Sequence, residues 1–196
     1  MEKPAEKLKI AAVGDLHVQE IPQQYYSELF ERISDEADIL LICGDMTNLG
    51  LPSEAKSLVQ DLQHCKIPVL ALLGNHDHHS GHVDEIKKIF MDAKVTFLDH
   101  ESYVLKGVGF AGVKGFCGGF ENYMLGPFGE DATKHFVTEA INQSLRLENS
   151  LKQLNVDKIV VGLHYSPIVT TVVGEPLEIY PFLGSSRLEE TIDRFE

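Results

Sequence analysis

Ile39-Leu40-Leu41-Ile42-Cys43-Gly44-Asp45-Met46-Thr47-Asn48 decides how the chain is read: five apolar residues, a glycine, then polar side chains at the exit. A run so short and apolar, without alternation, reads as a strand buried on both faces. Residues 8–13 and 69–73 repeat the pattern and end at Gly14 and Gly74. The segments between them have a different period. Tyr26, Leu29, Phe30 and Ile33 share one helical face, as do Ala55, Leu58, Val59 and Leu62, with Ser53 as the expected N-cap of the second helix. Alternating strands and helices predict right-handed crossovers and a largely parallel sheet. The three glycines then fall at its carboxyl edge, where open α/β sheets bind ligands.

Downstream, residues 83–91 are expected to form a third helix with Val83, Ile86, Ile89 and Phe90 inward. Residues 95–98, 102–106 and 108–113 read as strands, the last two joined at Gly107 in a hairpin. A Gly- and aromatic-rich loop, 114–130, can either wall a substrate site or simply pack its own aromatics. Asp131 is the expected cap of a long helix reaching about Leu154, with Phe136, Ala140, Ile141, Leu145 and Leu151 as its apolar stripe. A buried strand over 159–163 follows. Ser186 and Glu189 have capping-box spacing before a helix whose apolar face is Leu188, Ile192 and Phe195. The expected fold is α/β: layered sheets of mixed, largely parallel strands flanked by helices, in a single domain over residues 1–196.

Charge narrows the partners. Lys plus Arg total 17 against 30 for Asp plus Glu, a formal charge of −13, and no basic run offsets it, so long nucleic acid is not expected as a partner. Cys43, Cys65 and Cys117 are odd in number and lack Cys-x-x-Cys spacing, which suits reduced, packed thiols. No window approaches the length of a membrane span and no signal-peptide pattern opens the chain. A cytoplasmic protein without a membrane partner is the expectation.

Four strand ends carry related chemistry: Gly14-Asp15-Leu16-His17, Gly44-Asp45-Met46-Thr47-Asn48, Gly74-Asn75-His76-Asp77 and Gly162-Leu163-His164. Carboxylate, imidazole and amide oxygen together suit Mn²⁺, Fe, Zn²⁺ or Mg²⁺. Asp15 and His17, two apart on an extended segment, would point the same way and grip one ion. Each motif alone has a plain structural reading. Gly-Asp is an ordinary turn pair, and a lone histidine at a strand end is more often a satisfied polar group than a ligand. Four in sequence favour a metal site.

This ordered series resembles the calcineurin-like metallophosphoesterases from about Lys9 onward. The resemblance implies a metal-dependent hydrolase of phosphoester bonds acting on a small phosphoester substrate, with up to two divalent ions. Asp15 and His17 would bind the first metal, Asp45 would bridge both, and Asn75 with His164 would bind the second. Asn48 would support the ligands from outside the metal shell. His76, beside the metals, would protonate the leaving alkoxide, with Asp77 holding its tautomer.

One element of the family pattern, a late Gly-His-x-His, does not occur in the 196 residues. Together with a last helix that is amphipathic up to Glu196 and has no C-cap, this leads to an expected C-terminal truncation, with strands missing and each metal one histidine short. His78, His79 and His82 would either substitute or remain exposed loop residues. His64, His100 and His135 are read as surface residues. Two further readings stay open: a catalytically impaired remnant that acts as a binding protein, and a homo-oligomer formed through an exposed edge strand at 159–163.

Overall fold

Alternate side chains of a strand point to opposite sides, so one apolar run can serve two cores. In β2 (Ile39–Cys43), Leu40 and Ile42 pack with Phe30, Leu58, Ile86 and Phe90. Ile39 and Leu41 face the other way, against Leu70, Leu72, Leu98 and Phe110. The computed structural model describes residues 7–20, 25–99 and 101–195; His100 lies outside them.

β1 (Ile10–Val13), β2, β3 (Val69–Leu72) and β4 (Val95–Phe97) form a parallel sheet in chain order. Helices α1 (Ser27–Glu36), α2 (Pro52–Leu62) and α3 (Val83–Asp92) cover its first face. β5 (Tyr103–Leu105) and β6 (Val108–Val113) pair antiparallel, and β7 (Lys158–Leu163) joins β6 in parallel, giving a second sheet on the other face. Lys106 and Gly107 both have positive φ, 50° and 77°, as a two-residue hairpin turn requires. The outer face of this sheet carries α4 (Asp131–Lys152) and α6 (Ser186–Ile192), through Leu147, Leu151 and Leu188 on Ala111 and Val113. The layers therefore run helices, sheet, sheet, helices. Each Leu or Phe sealed between them contributes roughly 1.5–3 kcal/mol.

Close approach of the two sheets depends on a glycine pair. Gly112 and Gly162 are register partners, and a Cβ on Gly112 would lie 2.6 Å from the Gly162 carbonyl and 2.9 Å from Leu72 Cδ2.

Several sequence expectations shift. β1 is an edge strand rather than a doubly buried one, and Ile10 is partly exposed. Helix α2 begins at Pro52, with Ser53 inside its first turn; the Glu54 carboxylate accepts from the Leu49 and Leu51 N–H groups instead. Asp131 is the first residue of α4, not a side-chain cap. The buried stripe of α4 is Val137, Ala140, Gln143, Leu147, Ser150 and Leu151, which leaves Leu145 exposed. A stripe that includes Gln143 and Ser150 cannot be found by apolar period alone. The N-cap of α6 is Ser185, whose Oγ accepts from Arg187 N, while the Ser186 hydroxyl accepts from Glu121 N. β7 does sit at a sheet edge, but α4 and α6 leave Ile159 and Val161 only half-exposed.

Candidate metal centre

The ends of β1, β2, β3 and β7 bring Asp15, His17, Asp45, Asn75, His76 and His164 together at the carboxyl edge. Asp45, nearly fully buried, is the common member. Its Oδ2 lies 3.8 Å from His17 Nε2 and 4.0 Å from His76 Nε2; its Oδ1 lies 3.6 Å from His164 Nε2. Two donor groups result, His17 with Asp45 and His76, and Asp15 with Asp45 and His164. Asp45 is shared by both.

These separations discriminate between causes. Spacings of 3.6–4.0 Å exceed hydrogen-bond length. Two atoms each about 2.1 Å from a common ion lie up to about 4.2 Å apart. Tautomers point the same way. His164 Nδ1 lies 3.0 Å from the Cys43 carbonyl and His76 Nδ1 lies 2.6 Å from the Asn48 carbonyl. A carbonyl only accepts, so each Nδ1 carries a proton and each ring turns its Nε2 toward Asp45. Asn75 Oδ1 lies 2.9 Å from His164 Nε2, so both atoms meet at one point beside Asp45. His17 Nδ1 is buried and lacks a hydrogen-bond partner among the described residues. The donor set fits divalent metal.

The backbone explains how adjacent motifs converge. Asp15, His17 and Asp45 all have left-handed φ, 55°, 45° and 49°. The expectation of an extended Asp15-x-His17 grip is therefore corrected. His17 Nε2 does come 3.8 Å from Asp15 Oδ1, but by a tight turn rather than by strand alternation, and Asp15 groups with His164. Left-handed conformation in three non-glycine residues costs about 1–3 kcal/mol each and is a mark of functional sites. Backbone bonds hold the turns: Asp15 N donates to Gly44 O, His17 N to Asp45 O, and His76 N to Asp45 Oδ1.

Asp77 is also corrected. It does not touch His76; the Asn48 carbonyl sets that tautomer, so Asn48 acts through its main chain. The Asp77 carboxylate is fully buried and accepts from Thr47 N, Thr47 Oγ1, Met46 N and Gly74 N at 2.6–3.3 Å. It clamps the Asp45 loop to the Gly74 loop. His78, His79 and His82 are exposed and join neither donor group. His64 pairs with Glu31 at the surface, and His135 is exposed.

Sequence reading missed Tyr165. Its ring stands edge-on to His164 at 5.4 Å and packs on Phe116, so the loop over 114–130 both packs its aromatics and reaches the ligand's neighbour. Burial, then Cys117 and Asp45, push the Tyr165 phenol up, which keeps it neutral. Burial, then Asp15, likewise raises the Cys43 thiol.

Gly74 is the tightest glycine of the site. A Cβ there would stand 2.0 Å from Asp45 Oδ1 and 2.4 Å from Asp45 N. Gly74→Ala is expected to cost about 3 kcal/mol, because a backbone atom must move. Urea denaturation checks the loss, and metal affinity should fall with it.

An α/β sandwich carries here one buried carboxylate shared by two histidine-containing groups, each able to hold a metal ion. The calcineurin-like phosphoesterase profile matches residues 8–189, and the chain belongs to that family. The family binds divalent metals and is one of hydrolases. A solved crystal structure aligns with 95% of this chain and 80% of its own length, with a TM-score of 0.60 and 12% identity, a likeness of fold. No curated protein matches the chain. Among the described residues, no helix is long and apolar enough to cross a membrane.

Proposed function

We propose that this chain hydrolyses phosphoesters, with Asp15, His17, Asp45, Asn75 and His164 as metal ligands and His76 as proton donor. The observation that carries this reading is a pair of oriented rings: two histidines fixed through Nδ1 on main-chain carbonyls, both turning Nε2 toward the two oxygens of Asp45. A ring held in this way is oriented before any ligand arrives. The donor set suits Mn²⁺, Fe or Zn²⁺ and admits Mg²⁺. When bound, such ions acidify water and neutralise charge on phosphoryl oxygens.

The chain's own groups supply the rest. Asp45, kept in place by its accepted bond from His76 N, holds both halves of the site in register. The left-handed turns at Asp15 and His17 present carboxylate and imidazole from one short loop. His76 is partly exposed at the site's mouth, and in its protonated form Nε2 can pass a proton to the departing oxygen while Nδ1 stays bonded to Asn48.

His76→Gln tests the last role. Hydrolysis of alkyl esters, which need that proton, should fall at least about a hundredfold, and that of 4-nitrophenyl phosphate much less. Steady-state kinetics on both, with metal content measured on the same sample, separates proton donor from ligand. Loss of metal in the variant would make His76 a ligand instead.

A further inference from the structure

We propose that a polar cavity at the carboxyl edge, outside both donor groups of Asp45, binds a small oxyanion of phosphate size. It holds about 220 Å³ and is lined chiefly by His78, Asp99, Lys114, Glu139, Gln143 and Arg146. That volume takes such an ion together with a few waters.

Strand exits and one helix face build the cavity. Lys114 follows β6 directly, and Asp99 lies just past β4. Glu139, Gln143 and Arg146 recur at helical spacing on one face of α4. Gln143 ties that face to the loop after β6: its Oε1 accepts from Gly115 N and its Nε2 donates to Glu139. Two lining residues bond directly to residues of the metal centre. His78 N donates to Asn75 O at 3.2 Å, and His164 N donates to Lys114 O at 3.2 Å. The cavity therefore adjoins the centre through two of its ligands.

Charge decides the guest. Lys114 and Arg146 line the cavity with Asp99 and Glu139, and Lys87 Nζ lies 3.6 Å from Asp99, so three cations stand against two carboxylates in a chain whose formal charge is −13. Donors are left over as well. Lys114 Nζ donates to Gly115 O and sits 5.0 Å from the ring centres of Phe116 and Tyr165. Arg146, half-buried, forms no hydrogen bond or ion pair among the described residues. An ammonium has three donors and a guanidinium about five, so most of them remain to be used. A tetrahedral oxyanion accepts from both groups at once.

Two sources carry this chemistry: free phosphate, and a second anionic group on a substrate whose scissile ester sits at the metals. Oxyanion binding as such is independent of the phosphoester reading, and only the second source rests on it. Inorganic phosphate is titrated calorimetrically into the full chain, dialysed against a chelator so that no metal takes the anion, and into Arg146→Gln and Arg146→Lys. Arg146 has no partner to strand, so both variants should fold as wild type does. Saturable binding to the wild type is expected, at least about tenfold weaker in Arg146→Gln and intermediate in Arg146→Lys, which keeps the charge but loses the planar fork. A wild type that takes up no phosphate at millimolar concentration, or an Arg146→Gln variant that binds equally well, overturns the site. KM on the Mn²⁺-loaded proteins then assigns the source. A rise in Arg146→Gln for fructose 1,6-bisphosphate but not for fructose 6-phosphate puts a substrate group in the cavity, and no change for either leaves free phosphate as its occupant. Absence of any phosphoester turnover by the wild type overturns the hydrolase reading and leaves the oxyanion site standing.

Discussion

Asp45→Asn is expected to reduce phosphoester hydrolysis to background. The substitution keeps the side chain's size and the oxygen that accepts from His76 N, yet removes the charge shared by both donor groups. Metal-assisted charge stabilisation supplies several kcal/mol, and about 4 kcal/mol corresponds to roughly a thousandfold in rate. The fold should survive, because Asp45's carboxylate faces histidine nitrogens at distances too long for hydrogen bonds. Initial rates on an aryl phosphate with Mn²⁺, alongside thermal unfolding of both proteins, check the two halves of this expectation. A variant that still turns over near the wild-type rate would remove Asp45 from the mechanism.

Asp77→Ala should give the opposite signature, a loss of stability first. Four donors converge on this fully buried carboxylate, and truncation strands them away from solvent. Each unsatisfied donor costs about 1–3 kcal/mol, and with partial rescue by water a total on the order of 4 kcal/mol is expected. For a chain of this size that lowers Tm by about 10 °C. Asp77→Asn should recover part of the loss, because one oxygen remains to accept from Thr47 while an amide nitrogen faces Met46 N and Gly74 N. Calorimetry on the two variants tests the clamp. If Asp77→Ala melts like wild type but loses activity, the carboxylate is catalytic after all.

These contrasts show what the sequence carries and what it does not. The run from Ile39 to Cys43 and its two parallels announced three parallel strands of the first sheet, since apolar period and glycine exits are local properties. Local patterns do not reveal how two sheets stack, and the Gly112–Gly162 approach that allows it appears only when β6 and β7 are side by side. In the site, Asp15, His17, Asp45, Asn75 and His164 were legible as donor types and His76 as a neighbouring imidazole, and the strand ends bring these six side chains together. Their grouping was not legible, because it depends on left-handed φ at Asp15, His17 and Asp45, which no residue type there demands. Asp77 misled for a related reason: adjacency to His76 in sequence suggested contact, whereas the turn over His76–His78 sends its carboxylate inward to Thr47. Leu145 misled because the stripe of α4 accepts Gln143, whose side chain accepts from Gly115 N and donates to Glu139.

Metal stoichiometry of the purified, Mn²⁺-reconstituted chain tests the central claim most directly, because it reads the donor groups without requiring the right substrate. Elemental analysis after dialysis should find two ions per wild-type chain and a loss of both in Asp45→Asn, whose shared carboxylate serves each group. Wild-type protein that retains no divalent metal, or an Asp45→Asn variant that retains the wild-type amount, would contradict the account.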